Sequence, residues 1–143
     1  MGRILALDYG RKRVGISISD ESKTIAQILV PPAVNNHNFL KEIGKIIGRY
    51  EIEKVIIGLP ISLGSESGQM QKEVEKFAAA LRARFSLPSE MVDERFTSVE
   101  AKKMLAAEGA GRADQKVLKD NLSAQVLLQQ YLQAAENNEK RKT

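Results

Sequence analysis

Acidic residues at three points of the sequence have settings that suit catalytic carboxylates. They are Asp8, the pair Asp93 and Glu94, and Asp120. A few carboxylates can hold two divalent cations about 4 Å apart, which activate a water molecule and stabilise the leaving oxygen of a phosphodiester. The chain has no cysteine and a single histidine, His37, so thiolate sites and histidine clusters are excluded. This inventory predicts phosphodiester hydrolysis with oxygen-bound Mg²⁺ or Mn²⁺.

Asp8 ends an apolar run, Ile4 to Leu7, that predicts a strand buried on both faces. Because side chains alternate across a strand, Asp8 shares a face with Ile4 and Ala6. A carboxylate on a packed face costs several kcal/mol of desolvation, unless it faces a site at the rim of the sheet. We expect Asp8 to face such a site. The alternative is that it caps the turn at Gly10.

Asp120 lies on the apolar stripe of the last predicted helix. The stripe continues four, seven, eight and eleven residues later, with Ala124, Leu127, Leu128 and Tyr131. We therefore expect Asp120 to face the core near the N-terminal end of this helix, where the helix dipole favours negative charge. The alternative is a structural ion pair with Lys116 or Lys119.

The tripeptide Asp93-Glu94-Arg95 follows the last predicted strand and precedes a helix signal. Ligand sites tend to gather at strand ends in α/β sheets. By itself the tripeptide is more typical of a charged surface loop than of a site. Together with Asp8 and Asp120 it completes a carboxylate set for a metal site.

Basic residues lie close in sequence to each acidic position. They are Arg11, Lys12 and Arg13 after Asp8, Arg95 after Glu94, and Arg112, Lys116 and Lys119 before Asp120. Around a metal centre such residues can bind the phosphates on either side of the scissile bond. The alternative for each of them is ordinary solvated charge. The formal net charge of +4 is compatible with a nucleic-acid partner, and the aromatic content of 5% indicates that base stacking does not dominate binding.

Three strands in succession are predicted to position the first carboxylate. They cover Arg3 to Asp8, the alternating segment Val14 to Ser19, and Thr24 to Val30, which Pro31 and Pro32 close. Strands joined in this way predict an antiparallel meander.

Helical and strand patterns alternate in the rest of the chain. The helices are predicted around Phe39 to Tyr50, Met70 to Phe85, from the capping box at Thr97, and from Asp114 to about Gln133, and the strands over Lys54 to Leu59 and Glu90 to Asp93. The order β-β-β-α-β-α-β-α-α predicts an α/β fold with a five-stranded mixed sheet flanked by helices, which is the element order of the ribonuclease H-like fold.

The length of 143 residues suits one domain, predicted over residues 1–135 and followed by a flexible polar tail over 136–143. No apolar run approaches the roughly 20 residues of a membrane helix, and no signal peptide precedes the first strand. We therefore expect a cytoplasmic protein that does not enter membranes.

Several stretches of the sequence match the pattern of a known family. They are Leu5 to Gly10, Lys12 to Ile16 and Ser19-Asp20; Ile57 to Pro60; Asp93 to Ser98; and Lys116 to Asp120 with Leu127-Leu128 and Tyr131-Leu132. In order and spacing they cover nearly the whole chain and resemble the YqgF-type family of pre-16S rRNA nucleases, whose members are also called Holliday junction resolvases. One departure is Ser123, where the family usually has alanine.

The resemblance implies a ribonuclease H-like fold, a cytoplasmic location and a role in maturing the 5′ end of small-subunit ribosomal RNA. It also implies acidic catalytic positions at Asp8, at the Asp93-Glu94 pair and at Asp120. We favour Glu94 over Asp93 as the metal-facing member of the pair. The expected catalytic residues are therefore Asp8, Glu94 and Asp120, with Asp93 added to them as a metal ligand.

Three other functions remain open at this stage. A Holliday junction resolvase would use the same chemistry on branched DNA, usually as a dimer. A non-catalytic RNA-binding factor of ribosome assembly would keep the fold and the carboxylates for structural reasons. A phosphate-binding fragment of an actin-like ATPase is disfavoured, since those proteins need two such domains to enclose a nucleotide. The expected partners are RNA, above all pre-rRNA, or branched DNA, together with ribosomal particles, and the chain is expected to be a monomer or a homodimer.

Overall fold

A mixed β-sheet forms the centre of the structure. The computed structural model describes the backbone of residues 2–59, 66–93 and 112–142, and the side chains of residues 2–58, 68–92 and 121–139. In chain order the elements are β1 (Arg3–Asp8), β2 (Arg13–Ser19), β3 (Ala26–Gln27), β4 (Ala33–Val34), α1 (Phe39–Arg49), β5 (Ile52–Leu59), α2 (Glu66–Phe85), β6 (Ser89–Asp93) and α3 (Arg112–Lys142).

The strand order in the sheet is β3-β2-β1-β5-β6, and β4 pairs with β2 off this path. The pairs β1-β2 and β2-β3 are antiparallel, so the predicted meander is confirmed. The pairs β1-β5 and β5-β6 are parallel, so the predicted mixed sheet is confirmed as well. Parallel pairing brings the carboxyl ends of β1, β5 and β6 to one edge of the sheet, which we call the carboxyl edge.

The side chains of β1 alternate between two hydrophobic cores. Leu5 and Leu7 lie in the core that α1 and α2 cover, and Ile4 and Ala6 lie in the core that α3 covers. All four are buried, as the apolar run predicted. On the α3 face the core is completed by Ala26, Ile56, Leu127, Leu128 and Leu132. The position of Asp8 alternates with that of Leu7, so Asp8 belongs to the face of the sheet that α3 covers.

The predicted third strand, Thr24 to Val30, is wrong in its extent. Ala26 and Gln27 alone form β3, and a second short strand, β4, follows the proline pair and binds β2 at Arg13 and Val14. The described part of the sheet therefore has six strands, where five were expected. The physical reason is that side-chain amides of α3 take several backbone hydrogen bonds of this segment, as shown below.

The final helix extends beyond its predicted end near Gln133 and reaches Lys142. Residues 134–142 contain neither glycine nor proline to stop the helix, and the basic residues at its end are favourable for the helix dipole. The side chains of residues 133–139 are exposed, which fits their polar composition. The predicted tail from residue 136 is thus helical through residue 142. The helix predicted from Thr97 lies outside the described residues.

Within the described parts of the chain, no helix is long and apolar enough to cross a membrane.

Candidate active site at the carboxyl edge of the sheet

Asp8 is the last residue of β1 and is partly buried at the carboxyl edge. Its register partner on β2 is Gly15, and its partner on β5 is Gly58. Neither of these two register partners has a side chain, so no side chain from the neighbouring strands stands at the level of Asp8. Polar groups and small neighbours at the carboxyl end of parallel strands are typical of a ligand site.

The turn that follows Asp8 is tightly packed at Gly10. A Cβ atom added to Gly10 would lie 2.4 Å from the carbonyl oxygen of Arg13, closer than side-chain atoms approach backbone. Asn35 fixes the same turn, because its Nδ2 donates to the carbonyl of Gly10 at 2.7 Å and its backbone N–H donates to the carbonyl of Lys12 at 2.8 Å. The sequence analysis did not identify Asn35. No short-range pattern in the sequence indicates this contact.

This turn presents the predicted phosphate-binding residues Arg11, Lys12 and Arg13 on the surface, and all three are exposed. Arg11 also forms an ion pair with Glu73 on α2, with 3.4 Å between Nε and Oε2. Arg11 is exposed and Glu73 is half-buried, so solvent screens the pair and its contribution to stability is small. The turn thus places positive charge directly beside Asp8.

Asp93 ends β6 at the same edge of the sheet. It pairs with Leu59, whereas Val92 pairs with Gly58, the partner of Asp8. The register position of Val92 is therefore on the face of Asp8, and that of Asp93 is the alternate one. The side chain of Asp93 lies outside the described residues, as does the whole of Glu94 and Arg95.

Asp120 lies on α3, one residue before Asn121, which sequence reasoning missed. The Asn121 side chain is fully buried. Its Oδ1 accepts a hydrogen bond from the backbone N–H of Ile16 at 2.7 Å, and its Nδ2 donates to the carbonyl of Val30 at 2.7 Å. Ile16 pairs with Leu7, the residue before Asp8. The structure thus attaches this turn of α3 to the strands that carry Asp8.

Two further amides continue the line of Asn121 along α3. Gln125 donates to the carbonyl of Ala26 at 3.1 Å. Gln129 accepts from the N–H of Ala26 at 2.9 Å and donates to the carbonyl of Thr24 at 2.9 Å. We call Asn121, Gln125 and Gln129 the amide stripe. Three amides at a spacing of four residues are visible in the sequence, and this spacing could have indicated a polar line on one face of α3.

The amide stripe explains the short third strand. In place of a neighbouring strand, helix side chains bond the backbone groups of Thr24, Ala26 and Val30. Covering the outermost strand of a sheet with a helix also protects it from pairing with another chain.

A second polar cluster joins α3 to the sheet away from the carboxyl edge. Lys54 on β5 contacts Glu90 on β6 at 2.9 Å and also bonds the hydroxyl of Tyr131 on α3, which donates to Glu90 at 3.0 Å. The hydrogen bond with Glu90, followed by that with Tyr131, raises the pKa of Lys54, and Lys54 lowers the pKa of Glu90. Lys54 lies five residues before the carboxyl end of β5 and Glu90 three residues before that of β6, and the cluster attaches α3 to these strands.

The structure places the predicted site residues as follows. Side chains are described for Asp8, Arg11, Lys12 and Arg13, and the backbone alone for Asp93, Arg112, Lys116, Lys119 and Asp120. Within that described part of the chain no group of three or more acidic or histidine side chains could hold a metal ion, and three of the four predicted ligands have side chains beyond it. The elements of Asp8, Asp93 and Asp120 are brought together by the sheet register and by Asn121.

Comparisons with known proteins identify the family and the fold of this chain. The model of the RuvX family, described as "Holliday junction resolvase", matches residues 2–134. A protein of Bacteroides thetaiotaomicron named "Putative pre-16S rRNA nuclease" is 42% identical over 137 residues, covering 94% of this chain and 98% of the relative. A protein of Dictyoglomus turgidum with the same name is 37% identical over 131 residues, covering 91% and 93%.

Solved structures with the same fold have low sequence identity. RuvC of T. thermophilus in complex with a Holliday junction substrate has a TM-score of 0.60 at 11% identity, covering 95% of this chain and 96% of that one. The Fowlpox virus resolvase with Holliday junction DNA has a TM-score of 0.57 at 14% identity, covering 93% and 98%. The predicted ribonuclease H-like fold is thereby confirmed.

Proposed function

The chain belongs to the RuvX family of Holliday junction resolvases, and from this membership we propose that it is a nuclease that hydrolyses phosphodiester bonds with the help of divalent metal ions. The observation that carries the proposal is the position of Asp8. It ends β1 at the carboxyl edge, partly buried, between glycines on both neighbouring strands. A carboxylate at the end of a central strand, with glycines at both neighbouring register positions, is suited to binding a cation such as Mg²⁺.

We assign the metal ligands to Asp8, Glu94 and Asp120, with Asp93 as a further candidate. The donors are all carboxylates, which suit Mg²⁺ or Mn²⁺. We keep Glu94 as the preferred member of the pair, because Asp93 occupies the register position alternate to that of Val92, which shares the face of Asp8. Asp120 is the natural third member, because Asn121 attaches its helix to the partner strand of β1.

Two groups of residues would have different roles in hydrolysis, one binding the metal ions and the other binding the phosphates. When bound, the divalent ions would supply Lewis acidity at the scissile phosphate and an activated water molecule. Asp8, Glu94 and Asp120 would hold the ions in place through their carboxylates. Arg11, Lys12 and Arg13, in the turn after Asp8, would bind the phosphates that flank the scissile bond. Arg95, Arg112, Lys116 and Lys119 are proposed for the same task from their place in the sequence.

We propose that the substrate is RNA, at the 5′ end of pre-16S rRNA, in ribosome biogenesis. The names of the relatives from Bacteroides thetaiotaomicron and Dictyoglomus turgidum support this substrate. Such a role would place the protein in the cytoplasm, in contact with ribosomal particles.

The second candidate is resolution of Holliday junctions. The family description and the fold shared with two junction resolvases favour it. A resolvase cuts two strands symmetrically and so needs two sites in a dimer. Sedimentation analysis of the purified chain tests this candidate, because a monomer could not cut both strands of a junction symmetrically. A dimer would be compatible with either substrate.

The first experiment measures cleavage of single-stranded RNA, a pre-rRNA 5′ leader and a four-way DNA junction, with Mg²⁺, with Mn²⁺ and with EDTA. We expect metal-dependent cleavage of RNA by the wild type. Asp8→Asn should lower kcat at least about 100-fold, the scale of a lost charge-stabilising group in an active site. The mutant should keep its fold, because the change is isosteric.

Asp20→Asn is the matched control, because Asp20 follows β2 at the opposite end of the sheet from Asp8. It should cleave like the wild type. Cleavage of the junction alone would favour the resolvase. Absence of metal-dependent cleavage of every substrate, or full activity of Asp8→Asn, would contradict the proposed nuclease and favour a non-catalytic assembly factor.

A further inference from the structure

On the side away from β1, strand β2 pairs with two different short strands. β3 pairs with Ile18 and Ser19, and β4 pairs with Arg13 and Val14. Between these pairings, in the described structure, the N–H of Ile16 is bonded by the side chain of Asn121 instead of by a strand, with 2.7 Å between nitrogen and Oδ1. The same amide donates to the carbonyl of Val30 at 2.7 Å. One side chain of α3 thus fills the gap between two short strands.

The bond between Ile16 and Asn121 is made without competition from water, whereas the bond to Val30 is partly buried. Asn121 is fully buried, and so is Ile16. A buried N–H whose partner is removed keeps its desolvation cost and gains no bond, which native proteins rarely tolerate. The position of Asn121 relative to β2 is therefore set within the narrow range of a hydrogen-bond length.

This contact connects two of the proposed metal ligands through a short path. Asp8 follows Leu7 on β1, and Leu7 pairs with Ile16 on β2. Ile16 donates to Asn121, which follows Asp120 on α3. A shift of Asn121 by the length of one methylene would move the backbone of Asp120 relative to Asp8 by about the same distance. Displacements of 1 Å in a catalytic site are known to cost about 100-fold in rate.

We propose that Asn121 is a positioning residue of the nuclease site, whose amide fixes the turn of α3 containing Asp120 against β2 and so holds Asp120 in register with Asp8. This inference rests on the proposed nuclease function and deepens it. Asn121 acts through Asp120 and has no contact with substrate.

The side chain at this position must provide both a hydrogen-bond acceptor for Ile16 and a donor for Val30, at the distance that asparagine gives them. Alanine would leave the N–H of Ile16 and the carbonyl of Val30 without their bonds. Aspartate would keep the acceptor for Ile16, but it would lose the donor for Val30 and add a second negative charge next to Asp120. Glutamine would keep both groups but hold them one methylene farther from the helix.

Gln129 provides a matched comparison within the same helix. It also makes two amide-to-backbone bonds, both 2.9 Å long, with Ala26 and Thr24. It lies eight residues after Asn121, which is about 12 Å along the helix axis. Replacing Gln129 therefore removes similar bonds from the same helix, but far from Asp120.

The test measures kcat, KM and thermal unfolding of Asn121→Ala, Asn121→Gln and Gln129→Ala on the substrate that the wild type cleaves best. Binding of Mn²⁺ is measured separately from activity, by proton relaxation enhancement. We expect both Asn121 variants to lower kcat at least tenfold with KM within twofold, and to weaken Mn²⁺ binding at least fivefold. Gln129→Ala should lose thermal stability but keep kcat and Mn²⁺ binding within twofold of the wild type.

Asn121→Gln keeps the proposal testable where Asn121→Ala fails to fold. A folded Asn121 variant with wild-type kcat and Mn²⁺ binding overturns the positioning role, as do equal losses of kcat in the Gln129 and Asn121 variants. Failure of the proposed function has a different signature, in which the wild type neither cleaves nor binds Mn²⁺ and behaves like Asp8→Asn. That result would contradict both the proposed nuclease site and the positioning role of Asn121.

Discussion

Three glycines lie close to Asp8 at the carboxyl edge, and this distinguishes its surroundings from those of an ordinary turn residue. Gly15 and Gly58 flank it in the sheet, and Gly10 closes the turn that follows it. A turn cap would need neither of the two strand glycines. Their positions at the level of Asp8 favour a ligand site over a structural cap.

Gly10 should not tolerate a side chain. We expect Gly10→Ala to lower the free energy of unfolding by about 1–3 kcal/mol, because the added Cβ would overlap the backbone of Arg13 and the turn must shift. Cleavage should fall as well, since the same turn orients Asp8 and the basic residues. Urea unfolding and kcat are the measurements.

Gly48→Ala is the control for Gly10→Ala. Gly48 lies in α1, and an added Cβ would have no neighbour within 4 Å. Alanine there should raise the free energy of unfolding by up to about 1 kcal/mol and leave kcat unchanged. A stable and fully active Gly10→Ala variant would show that the turn is more tolerant than its geometry indicates.

Asp20 should make stability depend on pH in the acid range. Burial raises its pKa, but hydrogen bonds from the N–H groups of Thr24 and Ile25 and from the hydroxyls of Ser22 and Thr24 outweigh this and lower it from 3.8 to about 2. A lowered folded-state pKa contributes stability above pH 4, and this contribution is lost as the pH falls toward 2.

We therefore expect Asp20→Ala to unfold about 1 kcal/mol more easily than the wild type at pH 7, since the turn loses these hydrogen bonds. The difference should shrink between pH 4 and pH 2. Urea unfolding across this range tests it. A difference that stays constant down to pH 2 would contradict the assigned cause.

At the scale of elements, two sets of polar contacts attach α3 to the sheet. The amide stripe bonds the backbone near β2 and β3, and Tyr131 bonds Lys54 and Glu90 on β5 and β6. The buried leucines of α3 pack against the same sheet. Apolar packing alone leaves a helix some freedom to slide and rotate, whereas directed hydrogen bonds to different strands restrict it.

Tyr131→Phe should lower the free energy of unfolding by roughly 0.5–1.5 kcal/mol, the usual range for one lost hydrogen-bonding group. Glu90→Gln should cost less, because the Glu90 side chain is 50% exposed and solvent screens its pair with Lys54. A double-mutant cycle by urea unfolding measures their coupling, and a coupling of zero would contradict a shared cluster.

The pH dependence of this cluster follows from the two pKa directions. Lys54 lowers the pKa of Glu90 from 4.5, so the pair stabilises the fold above about pH 4.5 and less as the pH falls further. The pKa of Lys54 is raised from 10.5, so its contribution is lost only as the pH rises beyond that value. Glu90→Gln should flatten the acid limb of the stability curve.

At the scale of the whole molecule, the net charge of +4 predicts salt-dependent binding of nucleic acid. Lys12 lies exposed in the turn beside Asp8. Lys12→Ala should weaken RNA binding equally for different sequences and reduce the slope of log K against log salt by about 0.7, the value for one phosphate contact on a single strand. Fluorescence anisotropy at several salt concentrations measures the slope.

Arg49→Ala is the control for charge alone. Arg49 ends α1 near the start of β5, at the opposite end of the sheet from Asp8. The substitution Arg49→Ala removes one positive charge, as Lys12→Ala does. If both variants reduce the slope of log K against log salt equally, the effect comes from the net charge of the protein and not from a phosphate contact of Lys12 next to the proposed site.

The sequence by itself determined the element order and the candidate carboxylates. Period-two and helical patterns are local, and so is the apolar run that makes Asp8 conspicuous, so they can be read without knowing which segments meet. The antiparallel meander, the mixed sheet and the burial of β1 followed from these patterns and from the rules that connect consecutive elements, whereas the strand order in the sheet came from the structure. The three acidic points could be chosen in the same way, although their side-chain geometry could not.

Only the tertiary structure decided what happens to the segment from Thr24 to Val30. Its pattern predicts a strand, but its backbone is bonded by amides of α3 that are 103 and 105 residues away for Ala26 and Thr24. No local pattern reveals which distant side chain competes with a strand for those groups. The same holds for Asn121 and Ile16, which are 105 residues apart. The hydrogen bond that attaches α3 next to Asp120 to the strand paired with β1 therefore emerged only from the folded chain, because hydrogen-bond partners are determined by distance in space and not by spacing in sequence.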